Sequence, residues 1–421
     1  MPEEPTATLP AAAVVAVGTE LTCGLAEDTN GSAVSRELLA YGFEVPLREV
    51  VADDRALLAS RIRDLATRYA LVVVTGGLGP THDDVTRESA ADALGVSLER
   101  DRELAVRLER VVARHSHPGA ASQVLRQADV LAGARVLQPT LGTAPGQLVQ
   151  SPAGHLLLLP GPPREMEPML SEALRMLTGR LQRAPRVRVL SCVDIPESDA
   201  QLAAEGALAG RPGVKLTVLG RPALVDVVLV DSGGGPDPLA VAATEVAAAL
   251  GDRCYTTDGS SLASAVITSA RSQRATIALA ESCTGGLISA ALTDVPGSSD
   301  VFLGGAIAYS NALKERFARV TPQTLERYGA VSGETAREMA DGIRRETGAD
   351  FALAVTGIAG PGGGGEEKPV GTVWFALGNR HATSVELRRF GGDRFAVRAR
   401  TTAIGLDLLR RALASGDGST P

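Results

Sequence analysis

The chain has 421 residues, a formal net charge of −7, 44% hydrophobic residues and 22% charged residues. This length exceeds one ordinary core, so two or three domains are expected, and the composition excludes an intrinsically disordered chain. The acidic balance argues against a surface that binds nucleic acid without sequence preference. Four widely spaced cysteines, with no CxxC pair, favour reduced thiols and a cytoplasmic location. The apolar segment 11–17 has strand length, so neither a signal peptide nor a membrane span is expected there.

The first third of the chain alternates apolar segments with helical patterns, which is typical of a parallel sheet with crossover helices. Strands are predicted over residues 12–17, 43–50, 71–75 and 156–159, and helices over residues 32–40, 55–69 and 86–94. The pattern indicates an α/β fold, and the first predicted domain covers residues 1–184.

Two further domains are predicted. A small α+β domain over 185–258 has strands at 187–193, 214–218 and 225–230, a turn at 220–222 and a helix at 239–250; segment 186–250 holds five basic and eight acidic residues. An α/β domain over 259–421 has helices at 261–271 and 394–413 and strands at 276–280, 305–309, 351–355, 370–377 and 383–390. The tail after about residue 414 is predicted to be disordered.

Lysine is rare in this chain, with only Lys215, Lys314 and Lys368 beside 39 arginines. Arginine keeps its proton in proteins, whereas lysine is able to act as a neutral base. Lys314 follows Asn311, which is predicted to cap a helix. Both the positive end of that helix and burial lower the pKa of a lysine, so Lys314 is a candidate general base.

Ser282 follows a predicted strand and precedes Gly285 and Gly286, which indicates a strand-to-helix turn. A serine that cleaves an amide needs a base for its hydroxyl proton and donors for the developing oxyanion. Backbone N–H groups at the helix N-terminus are predicted to be those donors. Lys314 is then the base of a Ser-Lys pair, with Tyr309 as a proton relay.

Each of these residues also has a purely structural interpretation. Ser282 is alternatively a helix cap, Tyr309 a half-buried strand residue and Lys314 a solvated surface charge. Cys283 is a rival nucleophile, because a thiol at a helix N-terminus has a lowered pKa. It is alternatively a small buried residue.

A glycine-rich loop after the predicted strand 71–75 is the second candidate site. Its residues of interest are Gly76, Gly77, Gly79, His82, Asp83, Asp84 and Thr86. Glycines let backbone amides approach phosphates closely, and the histidine and two aspartates are candidates for holding a divalent metal or positioning water. Alternatively, one of the two aspartates caps the following helix, and Asp53 caps the helix that begins at Arg55.

Six motifs lie in the last third: AESCTGG (280–286), YSNALK (309–314), GAVS (329–332), TGIAGP (356–361), EEKPVGTVWFA (366–376) and GDR (392–394). As a set they resemble the C-terminal domain of the CinA (competence/damage-inducible) family, which is similar to the stand-alone nicotinamide mononucleotide (NMN) deamidases. The resemblance implies hydrolysis of NMN to nicotinate mononucleotide and ammonia, without a cofactor.

The same resemblance assigns roles by position. Ser282 is the expected nucleophile, and Tyr309 and Lys314 are the expected proton-transfer partners. The expected substrate-binding residues are Thr284, Gly285, Gly286, Thr356, Gly357, Arg394 and Arg398. The two arginines are expected to hold the phosphate through their forked donors, and the alternative is a solvated helix face. For Lys368, a loop charge is favoured over catalytic support.

The first third carries VGTELTCG (17–24), DTN (28–30), TGGLGPTHDDVT (75–86), GTAPG (142–146) and LPGPPREM (159–166). These segments resemble the molybdopterin-binding-like domain of the same family. The resemblance implies an ADP-ribose pyrophosphatase that uses a divalent metal (Mg, Mn or Co), and it leaves open whether other NAD-like dinucleotides are substrates. Glu20, Asp53 and Asp84 are the acidic candidates, and Asp84, Asp53 and His82 are the candidate metal ligands. The middle segment resembles the family's KH-like insert but has no GxxG loop.

The leading hypothesis is a bifunctional hydrolase of NAD metabolism that acts on NMN and ADP-ribose. One alternative is a protein that binds a pterin nucleotide, and another is a recruitment factor in DNA uptake or repair. The resemblance implies a homodimer. Neither a membrane nor direct nucleic-acid binding is expected.

Overall fold

A computed structural model describes residues 10–115, 121–179, 187–211, 213–231 and 238–415. The chain divides into two compact units between Val187 and Arg188. Beyond residue 415, the predicted disordered tail lies outside the described residues. No helix of the described ranges is both long enough and apolar enough to cross a membrane.

The first unit is built on a mainly parallel sheet. Its strands are β1 (Ala11–Val17), β2 (Glu44–Val51), β3 (Leu71–Thr75), β4 (Leu98–Arg100), β5 (Asp129–Leu131), β6 (Arg135–Leu137), β7 (Gly146–Ser151) and β8 (Gly154–Leu159). Its helices are α1 (Thr19–Thr22), α2 (Thr29–Ala40), α3 (Arg55–Ala66), α4 (Thr86–Leu94), α5 (Arg102–His115), α6 (Ala121–Leu125) and α7 (Pro163–Thr178).

The six-stranded sheet has the order β2-β1-β3-β8-β7-β6, and its first four strands are parallel. Apart from Thr75, strands β1 and β3 consist of apolar residues, and almost all residues of both strands are buried, as expected for strands covered on both faces. Helices α2 and α7 pack into the core on one face, and α3 and α4 pack into the core on the other. The predicted α/β fold is therefore confirmed, and the loops that follow β1, β2, β3 and β8 meet at one edge.

The second unit contains two sheets. The four-stranded sheet is formed by β9 (Val187–Val193), β10 (Val214–Arg221), β11 (Leu224–Asp231) and β12 (Cys254–Thr256), with α8 (Glu197–Ala207) and α9 (Pro238–Leu250). The five-stranded sheet is formed by β13 (Ile277–Glu281), β14 (Phe302–Ile307), β15 (Phe351–Gly357), β16 (Thr372–Gly378) and β17 (Thr383–Arg389). Its helices are α10 (Leu262–Gln273), α11 (Leu287–Thr293), α12 (Asn311–Ala318), α13 (Pro322–Tyr328), α14 (Gly333–Thr347) and α15 (Arg394–Ser415).

Strand order in the larger sheet is β14-β13-β15-β16-β17, with β13 parallel to both β14 and β15. Helices α10, α11 and α15 contribute to the core on one face. Helices α12, α13 and α14 contribute to the core on the other face. The central strand β13 is thereby buried along its whole length, and its carboxyl end is held between two parallel neighbours.

Several predicted boundaries are wrong, since α2 begins three residues earlier and α3 ends three residues earlier than predicted. Strand β10 continues to Arg221, which pairs with Leu224, so the turn is residues 222–223 rather than 220–222. Strand β14 covers 302–307 rather than 305–309 because its glycines belong inside the strand. A Cβ at Gly305 would lie 2.1 Å from the carbonyl oxygen of Leu279 on the neighbouring strand, so only glycine permits this approach.

Candidate active site

Ser282 lies in the turn that directly follows β13. Its backbone N–H donates to the carbonyl of Val355 at 3.0 Å, and the N–H of Ala308 donates to the carbonyl of Glu281 at 2.7 Å. These bonds extend both parallel ladders beyond the end of the strand. The serine is therefore positioned by β14 and β15 as well as by its own strand, and it is largely buried.

Lys314 is carried by α12, which is capped by Ser310. The Ser310 backbone is extended, and its Oγ accepts from the N–H of Leu313 at 3.3 Å. The prediction that Asn311 caps this helix is wrong, because Asn311 is already its first residue. The backbone N–H of Lys314 donates to the carbonyl of Ser310 at 3.0 Å, so the lysine completes the first helical turn.

The Lys314 ammonium is buried against Ser282. Only 1% of Lys314 is exposed, and its Nζ lies 2.9 Å from Ser282 Oγ, 2.8 Å from the carbonyl of Ala308 and 3.2 Å from that of Tyr309. Burial lowers the pKa of Lys314 from 10.5 to about 8. A neutral amine has two N–H donors and one lone pair. When the two carbonyls accept both donors, the lone pair is left for the hydroxyl proton of Ser282.

A buried carboxylate that the sequence analysis did not assign holds the following turn. Glu281 is 1% exposed, and its Oε2 accepts from Thr284 Oγ1 at 2.7 Å and from the N–H groups of Gly286 and Ile288 at 3.0 and 3.2 Å. Its Oε1 accepts from Ser289 N at 2.8 Å and from Ser289 Oγ at 2.6 Å. An anion at this position satisfies helix N-terminal amides that otherwise lack partners.

This carboxylate corrects two expectations. Helix α11 begins at Leu287 after Gly286, so Ser282 is not its cap. The N-terminal amides of α11 donate to Glu281, and they are not free to form an oxyanion hole. The N–H groups of Cys283 and Thr284 remain, and among the described residues no oxygen accepts from either.

Cys283 does not have the activated thiol that was expected of a rival nucleophile. Burial raises the pKa of Cys283 to about 12, and the side chain belongs to the core beneath the turn. The expectation of a lowered pKa is wrong because the helix begins four residues later and its positive end is neutralised by Glu281. The structure supports the interpretation as a small buried residue.

Tyr309 and Arg394 meet at the rim of this site. Tyr309 is 58% exposed, and its hydroxyl accepts from Arg394 Nη2 at 3.1 Å. Arg394 also donates through Nη1 to the carbonyl of Gly360 at 2.8 Å. The Tyr309 hydroxyl makes no hydrogen bond to Ser282 or Lys314, and the tyrosine contacts the lysine through its backbone carbonyl instead.

Arg398 lies one helical turn beyond Arg394 and holds the nucleophile turn directly. Its Nε donates to the carbonyl of Cys283 at 3.2 Å, and its Nη2 donates to the carbonyl of Thr284 at 2.7 Å. The turn continues through Gly285, whose φ is +61°, and a Cβ there would face the same guanidinium at 3.5 Å. The structure thus gives Arg398 a positioning contact in addition to any role in binding phosphate.

The remaining predicted residues of this domain lie at the end of β15 and in a nearby loop. Thr356 is buried, and its Oγ1 donates to the carbonyl of Ala330 at 2.7 Å. A Cβ at Gly357 would lie 2.7 Å from the carbonyl oxygen of Thr372, so this position excludes a side chain. Lys368 Nζ donates to the carbonyl of Tyr328 at 2.8 Å, so its loop is bonded to the last residue of α13.

In the first unit, the predicted residues collect at the carboxyl edge of the parallel sheet. Glu20 follows β1, Asp53 follows β2 and the glycine loop follows β3, and these strands are neighbours. Asp53 Oδ2 accepts from Thr19 N at 2.7 Å and from Thr19 Oγ1 at 2.9 Å, which joins the first two loops. Ligands of open α/β sheets bind at this edge.

Tight packing explains the glycines of the loop. Gly76 has a φ of +103°, and a Cβ there would lie 2.4 Å from the carbonyl oxygen of Val17. Gly77 has a φ of +64°, and its Cβ would lie 2.3 Å from Thr86 Oγ1, which itself donates to the carbonyl of Gly76. A Cβ at Gly79 would approach Asp84.

A buried arginine, also unassigned by the sequence analysis, shapes the same loop. Arg87 is 1% exposed, and it donates to the carbonyls of Leu78 at 2.7 Å and Gly79 at 3.3 Å. Burial lowers its pKa from the ordinary value. Because both carbonyls are turned toward the arginine, the loop is held in one backbone conformation.

The alternative interpretation of the aspartates as helix caps is wrong. Asp54, not Asp53, caps α3, and it accepts from the N–H of Leu57 at 2.9 Å. Helix α4 follows Val85 without a side-chain cap. Asp84 instead closes the loop by accepting from Thr81 N at 2.7 Å and from Thr81 Oγ1.

The candidate metal ligands do not converge. Asp53 is bonded to Thr19 after β1, and Asp84 is bonded to Thr81 in its own loop. The His82 side chain is 93% exposed and 4.0 Å from Asp83. Across the described parts of the chain, no three His, Cys, Asp or Glu side chains are grouped so that they could hold a metal. In this arrangement the residues do not fit a metal ion, and we derive no step through one.

Comparison with known proteins finds a family match for each end of the chain. Residues 259–413 match the family model for the CinA C-terminal domain. Residues 13–180 match the one described as "Probable molybdopterin binding domain". CinA-like proteins from Koribacter versatilis and Acidobacterium capsulatum are 38% and 39% identical over 414 and 418 residues, covering 96% of this chain and 99% of each relative. This chain belongs to the CinA family.

Solved structures of CinA-related proteins match part of the chain. The crystal structure of the competence/damage inducible protein CihA from Agrobacterium tumefaciens is 43% identical and covers 36% of this chain and 93% of its own, with a TM-score of 0.36.

The sequence of this CinA-family protein gives limited indications of the roles of Glu281 and Arg87. Glu281 stands inside the AESCTGG motif, between an apolar strand and a Gly-Gly pair, where a charged residue is unusual. Arg87 follows the TGGLGPTHDDVT motif, but its neighbours resemble those of a solvated helical arginine. Only the fold reveals that each side chain is turned inward.

Proposed function

We propose that the C-terminal domain is a serine amidohydrolase that converts NMN to nicotinate mononucleotide and ammonia. The observation that carries the proposal is the 2.9 Å contact between Lys314 Nζ and Ser282 Oγ, made by a buried lysine whose pKa is lowered to about 8. The resemblance of this domain to the NMN deamidases names the substrate. Membership of the CinA family supports that choice.

In the first half of the reaction, Ser282 Oγ attacks the amide carbon of the nicotinamide group. Neutral Lys314 takes the hydroxyl proton while its own N–H groups remain bonded to the carbonyls of Ala308 and Tyr309. The amide C–N bond then breaks. Lys314 returns the proton to the leaving nitrogen, which departs as ammonia, and the nicotinoyl group is left as an ester on Ser282.

The second half regenerates the enzyme. Lys314, again neutral, takes a proton from water as the water oxygen attacks the ester carbon. The bond to Ser282 Oγ breaks, the proton passes to the serine, and nicotinate mononucleotide leaves. In both halves the N–H groups of Cys283 and Thr284 are the candidate donors to the oxyanion, since Glu281 occupies the amides of α11.

The rim of the site suits the phosphate of the substrate. Arg394 presents a guanidinium beside the exposed hydroxyl of Tyr309, and forked donors bind phosphate oxygens well. Arg398 holds the carbonyls of Cys283 and Thr284. We therefore assign phosphate binding chiefly to Arg394 and positioning of the nucleophile turn chiefly to Arg398.

The test is product formation by wild-type protein and by Ser282→Ala, Lys314→Met and Cys283→Ala variants, with nicotinate mononucleotide quantified by mass spectrometry. Wild type and Cys283→Ala should release nicotinate mononucleotide and ammonia, whereas Ser282→Ala and Lys314→Met should not. Activity lost in Cys283→Ala but retained in Ser282→Ala would reverse the assignment of the nucleophile. Absence of product from folded wild type would refute the proposed substrate.

We propose as a second function that the N-terminal domain hydrolyses ADP-ribose at the carboxyl edge of its parallel sheet. The favouring observation is the meeting of Glu20, Asp53 and the glycine loop after three neighbouring strands. Asp53 and Asp84 are held by Thr19 and Thr81, so they lie in ordered loops. The pterin interpretation uses the same edge and is supported by the family match of residues 13–180.

Two measurements separate these ligands. Release of AMP from ADP-ribose should fall in Asp84→Asn and Asp53→Asn variants, while the Ser282→Ala variant should retain it. Assays with added Mg, Mn or Co, and with chelator, test the predicted metal requirement. A thermal shift with molybdopterin in the absence of any shift or turnover with ADP-ribose would favour the pterin function instead.

A further inference from the structure

We propose that Cys192 and Cys254 form an intramolecular disulfide when the protein meets a hydroperoxide, which makes the four-stranded sheet a thiol oxidation site. Strands β9 and β12 are antiparallel, and Cys254 lies directly opposite Cys192 in their register. Residues opposite each other in an antiparallel pair share a face, with Cβ atoms about 4.5 to 5.5 Å apart. That spacing is close to the span of a disulfide, so little backbone movement is needed.

Both sulfurs lie in one core. Cys192 is fully buried in the cluster formed with α8, α9 and β11, and Cys254 is half-buried against the same cluster. The other two cysteines have different surroundings, since Cys23 is exposed in the first unit and Cys283 is buried beneath the nucleophile turn. The four-stranded sheet thus contains two thiols in direct register, and only one of them is accessible to a reagent.

The electrostatics assign different roles to the two thiols. The hydrogen bond from the Cys192 thiol lowers the pKa of Cys254, and the charge of Arg410 acts in the same direction. The pKa of Cys192 is raised by the same hydrogen bond and by burial. Cys254 is therefore the thiol that reacts first, and Cys192 is the thiol that resolves the product.

The chemistry balances with one equivalent of hydroperoxide. The Cys254 thiolate attacks the peroxide oxygen, the O–O bond breaks, and water or an alcohol leaves, so Cys254 becomes a sulfenic acid. The Cys192 sulfur then attacks the Cys254 sulfur. The S–O bond breaks as the S–S bond forms, and hydroxide leaves with the Cys192 proton as water. The thiols lose two electrons, and the peroxide is reduced.

The link has a structural consequence for the unit. Strand β12 is followed by α10 and then by β13, which ends at the Ser282 turn. A disulfide at Cys254 would tie the beginning of this segment to β9 and close the loop between the two cysteines. Closing a loop restricts the unfolded chain, so the oxidised protein should unfold at a higher temperature than the reduced protein.

Peptide mapping of the full chain tests the proposal. Wild type is treated with limiting hydrogen peroxide, free thiols are alkylated, and the digest is analysed by mass spectrometry. The expected result is a linked Cys192–Cys254 peptide, a chain mass lowered by about 2 Da, and reversal by dithiothreitol. The Cys23→Ser variant should form the same link, and the Cys254→Ser variant should retain an alkylatable Cys192.

Wild type alone decides the outcome, so a variant that fails to fold does not matter. The proposal is overturned if Cys192 stays alkylatable while Cys254 accumulates as sulfenic or sulfinic acid. It is also overturned if Cys254 pairs with Cys23, or if both thiols survive oxidant that converts Cys23. Equal melting temperatures for the linked and reduced protein would refute the structural consequence.

Discussion

The titration of Lys314 is the most direct test of the proposed amidase site. Burial lowers its pKa from 10.5 to about 8, which corresponds to about 3 kcal/mol of destabilisation of the protonated lysine in the folded protein. Between pH 8 and 10.5 the folded protein therefore binds fewer protons than the unfolded chain. Stability should accordingly rise with pH across this window, by about 3 kcal/mol in total. Below about pH 8 the lysine is protonated in both states, so the destabilisation is constant and Lys314 contributes no pH dependence.

The scarcity of lysine makes the measurement practical. The chain has three lysines, so protein labelled with 13C at lysine Cε gives three NMR signals. The signal that disappears in a Lys314→Met variant identifies Lys314, and its chemical shift should titrate with a midpoint near 8. Comparing pH-dependent stability of wild type and this variant removes contributions that do not depend on the lysine proton.

The rate should follow the same titration. If neutral Lys314 is the base, kcat/KM for NMN should rise about tenfold per pH unit below the pKa and level off above it. At pH 7 about one tenth of the protein then carries the neutral amine. A Lys314 signal that titrates near 10.5, or a rate that does not change between pH 6 and 9, would refute the role of Lys314 as the base.

Three further outcomes follow from the contacts around the two sites. Glu281→Gln should lower the free energy of unfolding by about 3 kcal/mol and reduce kcat, because an amide nitrogen would then face the N–H and O–H donors of the turn. Chemical denaturation measures the first effect and NMN kinetics the second. Unchanged stability would contradict the role given to Glu281. Arg398→Met should mainly lower kcat by releasing the carbonyls of the turn, whereas Arg394→Met should mainly raise KM by removing a phosphate ligand. Identical changes in NMN kinetics would contradict the separate roles given to the two arginines. Gly76→Ala should destabilise the protein by more than about 2 kcal/mol, since its Cβ would meet a carbonyl oxygen. The control is Gly95→Ala, which also has a positive φ but open space around the new Cβ, and it should destabilise the protein by only about 1 kcal/mol. Equal losses in urea unfolding would show that the carbonyl contact is unimportant.

The sequence predicted the fold class and the principal strands because buried strands of a parallel sheet are continuous apolar segments. Strand β3 and helix α4 have the predicted bounds, and β9 does as well. Boundaries that depend on a single backbone angle or a close approach were less accurate. Asn311 and Ser310 are both good capping residues, and only the extended backbone of Ser310 identifies it as the cap.

Side-chain contacts that form only in the folded turn account for much of what the sequence left undecided. A helix N-terminus was expected to be free for an oxyanion and to activate Cys283, but the carboxylate of Glu281 is folded back onto its amides. Burial then raises the pKa of the Cys283 thiol, and the charge of Glu281 acts in the same direction. Local sequence gives no means of counting such donors and acceptors, since the partners are brought together by the turn itself.

From the sequence alone came the rarity of lysine, the serine after an apolar strand and the glycine loop, because each is a local choice of residue type. The tertiary structure alone decided that Lys314 and Ser282, 32 residues apart, are in hydrogen-bond contact. It also decided that Asp53 and Asp84 each bond to a threonine rather than converge on one group, and it placed Cys254 opposite Cys192. Residue type sets what chemistry a side chain is capable of, but distance and burial set which partner it meets and whether it is charged, and both are properties of the folded chain.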